Sequence, residues 1–211
     1  MRGNFIMKKV IICNIPMKES VDQVAYTSDD ISLLVSDRRV RYPVNALLEK
    51  TVSCDDDLKV IILSKNDEYS FSQQHTDEFL DELNQVLATS NVKPVIRIID
   101  TEFSQSKLVH EQLMGKLVDE IDEGSHILVD ITYGPKDLPI VIFAAIGFAE
   151  KFLDCEIDAI VYGQASFVQG KAVNQKICDM SSLYYLSSVT NTIRCDKPEK
   201  ARKTLNELLS L

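Results

Sequence analysis

The chain of 211 residues is 45% hydrophobic and 26% charged, with only 7 Gly and 6 Pro, a composition that folds around a buried core and excludes disordered, collagen-like and low-complexity classes. At roughly 150 residues per domain, this length predicts one continuous domain, residues 1–211, with its core in 8–163 and a C-terminal hairpin and helices in 164–211. The net charge of −9 argues against a partner such as duplex nucleic acid bound through a basic field, and leaves open a small anion held in a local pocket.

The first strand is predicted at residues 9–14, where Val10-Ile11-Ile12 forms a continuous apolar run. Residues 28–53 are less regular: a short strand is expected at 31–35, and Pro43 at the first turn of a helix through Leu47 and Leu48. Asp55-Asp56-Asp57 reads as a solvated turn before the second long strand, 58–64. Phe79, Leu80, Leu83, Val86 and Leu87 then repeat at helical spacing, followed by a strand at 93–100. Leu108, Leu113, Leu117, Val118 and Ile121 mark the next helix, and residues 126–131 the next strand. A helix over 138–152 follows, apolar almost all round, which predicts burial on more than one side; a dimer interface and the chain's own C-terminal segment are both possible covers. A fifth strand at 156–162, a polar loop or hairpin over 164–175 turning at Gly170 and leading to 176–179, and helices at 182–191 and 198–211 complete the chain.

Strands that read as continuous hydrophobic runs, alternating with helices, predict an α/β fold: a Rossmann-like, doubly wound, mainly parallel sheet with helices on both faces. The longest apolar stretch, 140–149, is about half the roughly 20 residues needed to span a bilayer, and the first residues lack the apolar region of a secretory signal. A cytoplasmic protein without membrane contact is expected. The five cysteines include no C-x-x-C pair, and the three histidines no H-x-x-x-H, so neither a metal nor a cofactor is expected.

In an open parallel sheet, ligands collect at the carboxyl ends of the strands. The exit of the first strand, Asn14-Ile15-Pro16, lacks the G-x-G-x-x-G of a dinucleotide site, and neither a P-loop nor a G-x-S-x-G elbow occurs anywhere. The exit of the fourth is denser: Asp130-Ile131-Thr132-Tyr133-Gly134-Pro135-Lys136 runs into the apolar helix. Lys136, Thr132 and free amides at the helix start suit a phosphate, Tyr133 a stacked base, and Asp130 or Asn14 an amine or a ribose hydroxyl. The same residues also read as structure alone, with Asp137 capping the helix, Pro139 in its first turn, and Asp130 bonded to the amides of a neighbouring loop.

Asp130-x-Thr132-x-x-x-Lys136 resembles the D-x-[ST]-x-x-x-[RK] motif after the fourth strand of CARF domains, the CRISPR-associated Rossmann-fold sensors. The longer string through Pro139 is similar to the D-x-T-H-G-x-R-x-x-P variant, with Tyr133 for histidine and Lys136 for arginine. Tyr162-Gly163 resembles that subgroup's Y-G after the next strand, and Ile177-Cys178-Asp179-Met180-Ser181 its I-x-D-[LM]-[TS] before a helix. Together the motifs cover about residues 127–186; the first hundred residues match in strand order alone.

The resemblance implies a sensor of type III CRISPR antiviral signalling: a homodimer that binds a cyclic oligoadenylate of four or six units (cA4 or cA6) across its two-fold axis. Asn14, Ile15, Pro16, Asp130, Thr132, Tyr133, Gly134, Pro135, Lys136, Tyr162 and Gly163 are then the ligand-binding residues, with Lys136 the phosphate cation, a point charge in place of a bidentate arginine. Most CARF proteins carry an effector domain, and its usual ribonuclease signature, R-x-x-x-x-H, is missing here. The alternative is a metal-independent ring nuclease, in which a ribose 2′-hydroxyl attacks its own phosphate and Lys136 is catalytic, stabilising the transition state. No general base is evident for it: His126 starts its strand at the opposite edge, His110 lies in a helix whose marks are structural, and His75 alone lies near the right edge. A metabolic nucleotide-binding enzyme is the third reading.

Overall fold

Alternating β-branched runs and amphipathic segments fold as their periods require, into strands joined by helices. The computed structural model describes residues 6–65, 70–102, 106–168 and 171–210. In chain order these form β1 (Lys8–Asn14), β2 (Val24–Ala25), β3 (Arg39–Val40), α1 (Pro43–Thr51), β4 (Asp57–Ser64), α2 (Ser72–Leu87), β5 (Val95–Asp100), α3 (Lys107–Glu120), β6 (His126–Asp130), α4 (Asp137–Phe152), β7 (Glu156–Val168), β8 (Lys171–Asp179), α5 (Ser181–Thr192) and α6 (Pro198–Leu208).

The main sheet has six strands in the order β5-β4-β1-β6-β7-β8, parallel except for β8, which runs antiparallel to β7. From β1 the chain moves outward to β4 and β5, then returns past β1 to β6 and β7, so the order reverses between β1 and β6. This is the doubly wound, Rossmann-like α/β arrangement, with its topological switch point at the carboxyl ends of those two strands. A separate two-stranded sheet pairs β2 with β3.

Burial follows the period-2 alternation of strands covered on both faces. Ile11 and Cys13 of β1, Leu58, Val60 and Ile62 of β4, Leu128 of β6, and Ala159 and Val161 of β7 form one core with α1 and α2. The alternate residues, among them Ile12, Ile61, Val129 and Ile160, are fully buried on the other face, where α3 and α4 contribute Leu117, Ile142, Ala145 and Ile146. Helix α4 buries one face only: Ile140, Ala144, Phe148 and Phe152, four residues apart along it, are exposed, Ile140 by 72%. Among the described residues before Met180, none supplies the expected burial on further sides.

Several elements depart from the expected ones. Residues 31–35 are not a strand: Asp30 Oδ1 accepts from both the amide (2.9 Å) and the hydroxyl (2.7 Å) of Ser32, which closes a turn, and the short strands of this region are instead β2 and β3. β7 runs six residues past Tyr162, because β8 pairs along it from Val161 to Val168. Asn174 takes φ 53° where two residues of β8 oppose one of β7, a bulge conformation that asparagine tolerates. Gly170, the expected hairpin turn, lies outside the described residues. The segment after β1 crosses to the outer edge of β8, where Ile177 donates to the Thr27 carbonyl (2.8 Å) and Thr27 to that of Gln175 (3.2 Å), so this edge is covered.

The chain divides into two compact units, Met1–Asp179 and Met180–Leu211. The second consists of α5 and α6, each ending its own run of helical period, with Pro198 in the first turn of α6. Among the described residues no helix is long and apolar enough to cross a membrane.

Candidate functional site

The β6 strand delivers Asp130 to the switch point, 3% exposed, where a carboxylate must find donors or remain protonated. Its Oδ2 accepts from the Val44 amide (3.0 Å) at the start of α1, whose N-cap residue, Tyr42, supplies no side-chain cap. Its Oδ1 accepts from the Thr132 amide (2.8 Å) and also from the Thr132 hydroxyl. Asp130 thus caps α1 from another strand, and its oxygens are spent on the protein rather than on a ribose. Burial raises its pKa above the ordinary carboxylate value, against the lowering pull of these hydrogen bonds.

The Thr132 hydroxyl also accepts from the Gly163 amide (2.8 Å), which joins the β6 loop to the middle of β7. Gly163 is required there: a Cβ would sit 2.4 Å from Pro43 Cγ. Tyr133 points inward, contrary to its expected place as a base platform. It donates to the Arg41 carbonyl (2.8 Å), and its ring stands edge-on to Tyr42 at 6.1 Å. Burial pushes the Tyr26 hydroxyl up to about 12 and raises Tyr133 further. Tyr162, 40% exposed, is the aromatic ring that remains open.

Thr132, Tyr133, Tyr162 and Gly163 come together as one side of a cleft of about 190 Å³. Its other side is the segment after β1, with Lys18, Asp22 and Tyr26, and Gln175 of β8. Sequence reasoning did not place this wall, since only the return of residues 17–28 to β8 brings it opposite. The position of Lys18 is fixed from beneath: the fully buried His75 in the first turn of α2 places Nε2 2.7 Å from the Lys18 carbonyl and Nδ1 3.0 Å from Glu78. That histidine is a structural strut.

The remaining expected residues separate. Ile15 and Pro16 are buried, Ile15 in the core with its amide donating to the Leu63 carbonyl (2.9 Å). Asn14 is 3% exposed, and neither its side-chain oxygen nor its nitrogen has a partner among the described residues. It lies beside Gly134, whose φ of 85° favours glycine and where an added Cβ would come 3.2 Å from Asn14 Cβ. A buried amide with both groups unspent, at the switch point, is the feature here that fold stability does not account for. Pro135 and Lys136 lead into α4, Lys136 exposed at its N-cap. The helix start is already complemented by Asp137, so the cation and not the helix amides is what α4 offers an anion.

Beside this helix start lies the histidine whose helix carries only structural marks in the sequence. His110 of α3 sets its buried Nε2, which makes no hydrogen bond among the described residues, 3.3 Å from Asp137 Oδ2, and both line a small polar recess with Thr101 and Lys116. The helical pattern of α3 conceals this, because the facing carboxylate belongs to α4. No protein-family model matches the sequence, and no curated protein matches it.

Proposed function

We propose that the carboxyl edge of the sheet binds a cyclic oligoadenylate, cA4 or cA6, in a homodimeric sensor of the CARF kind. What carries this reading is the meeting of three separate sequence motifs. Thr132 is bonded to Gly163, Gly163 pairs with Ile177 and Tyr162 with Cys178, so the Asp130–Lys136 loop, the Tyr162-Gly163 pair and the strand ending at Asp179 form one surface. Lys136 supplies a phosphate contact, Tyr162 a ring for a base, and the unspent Asn14 amide a donor and an acceptor. Titration calorimetry with both rings tests it: one ring per two chains supports the sensor, one mononucleotide per chain supports a metabolic nucleotide enzyme, and no binding of either ring removes the reading.

The His110–Asp137 contact favours a second reading, slow ring cleavage. In the tautomer with its proton on Nε2, toward Asp137, Nδ1 is left to take the proton of a ribose 2′-hydroxyl as its oxygen attacks the adjacent phosphorus. The bond to the 5′-oxygen breaks, that oxygen takes a proton from solvent, and a 2′,3′-cyclic phosphate and a 5′-hydroxyl remain. Chromatography of the recovered ligand distinguishes the two: linear products that disappear in His110→Ala while binding persists identify a nuclease, and an intact ring identifies a sensor.

A further inference from the structure

At the amino ends of β6 and β7, away from the nucleotide edge, three side chains of metal-ligating type converge: His126, Glu156 and Asp158. One ligand atom of each lies within 4.8 Å of the other two. The Nδ1 atom of His126 is 2.9 Å from Asp158 Oδ1 and 4.0 Å from Glu156 Oε2. The convergence has a backbone cause. His126 pairs with Glu156, then the register shifts between Ile127 and Leu128, so that Leu128 faces Ala159 and Asp158 becomes the unpaired extra residue of a bulge. A bulge re-aims the side chain it carries, and here the Asp158 carboxylate meets the imidazole two rungs back.

Charge and space point the same way. Among the described residues neither Glu156 nor Asp158 pairs with a lysine or arginine; His126 is their shared partner. Lys9, which pairs with His126 between β1 and β6, is held 2.8 Å from Asp56. His126 and Asp158 also border a cavity of about 130 Å³ whose deeper walls, Ile11, Leu47, Leu48 and Leu128, are apolar. Two carboxylates and a neutral imidazole are a hard-to-borderline donor set, which favours a zinc-class transition ion over magnesium or calcium. Tetrahedral coordination at about 2.0–2.2 Å sets ligand atoms roughly 3.3 Å apart, between the two separations found here.

We propose that His126, Asp158 and Glu156 form a binding site for a divalent transition metal ion, with its fourth position opening on the apolar cavity. The site is independent of the nucleotide edge. Zn²⁺ calorimetry and Co²⁺ visible absorption on the full chain test it, in a Cys54→Ser, Cys195→Ser background that removes the two exposed thiols as competing ligands. One Zn²⁺ per chain and a tetrahedral Co²⁺ spectrum are expected, with affinity at least about tenfold weaker in both His126→Ala and Asp158→Asn. The absence of stoichiometric binding, or binding that neither variant weakens, overturns the proposal. Circular dichroism of each variant separates ligand loss from unfolding.

Discussion

Thr132 is the hinge of the site at the scale of one residue, since its hydroxyl donates to Asp130 and accepts from Gly163. Thr132→Val keeps the shape, removes both bonds and strands the Gly163 amide, so urea denaturation is expected to show a loss of about 1–3 kcal/mol, with Thr132→Ser close to the parent. Gly163→Ala forces a Cβ against Pro43 and is expected to cost a similar 1–3 kcal/mol by overpacking. Asp130 gives a pH-dependent test. Its folded pKa is raised, so its contribution is fully present below the unfolded value, near 3.8, and is lost as pH rises through the folded value. The stability of the parent relative to Asp130→Asn is therefore expected to be greater in acid than at neutral pH, read as the difference between their urea midpoints across that range. A difference that stays flat would show that Val44 and Thr132 hold the carboxylate without net cost. For Lys136→Ala, the loss of a charge-assisted contact predicts ring binding weaker by about 1.5–3 kcal/mol with stability unchanged, and equal affinity would remove Lys136 from the site.

Elements were legible where burial alone set them. β1, β4 and β6 are covered on both faces, so their runs of Val, Ile and Leu announce parallel strands and, with the helical repeats between them, the doubly wound order. Where a local bond or a distant partner decides, the sequence is silent. Ile31 has strand composition but is 97% exposed, because the Asp30–Ser32 turn ends any extension before a partner is met. The extension of β7 through Gln164 and Ser166 is polar and depends on β8. The motif residues around Asp130 and Tyr162 could be named from sequence, but not that Tyr133 turns into the core, that Lys18 faces the cleft, or that His110 meets Asp137; each depends on a contact between elements. Helix α4 tests the reading of its own faces: Ile142→Ala, fully buried, is expected to cost about 2–5 kcal/mol by thermal or urea unfolding, and Ile140→Ala, 72% exposed, about 0.5 kcal/mol or less.

For the whole molecule, a net charge of −9 means that, under the proposed function, an anionic ring would approach against a repulsive field and be held by local cations at one edge. The two act over different ranges. At about 0.01 M ionic strength the Debye length is roughly 30 Å, about the width of such a domain, whereas near 0.15 M it is roughly 8 Å, so salt removes the distant repulsion before it weakens a phosphate already in contact with Lys136. Association with the ring is therefore expected to become faster as salt rises over this interval, the opposite of a basic nucleic-acid-binding protein, while dissociation also becomes faster as the contact weakens. Stopped-flow tyrosine fluorescence suits the measurement, since the chain has no Trp and Tyr162 borders the cleft. Association that slows with salt would mean that the cations at the carboxyl edge, and not the charge of the whole chain, set the field the ligand meets.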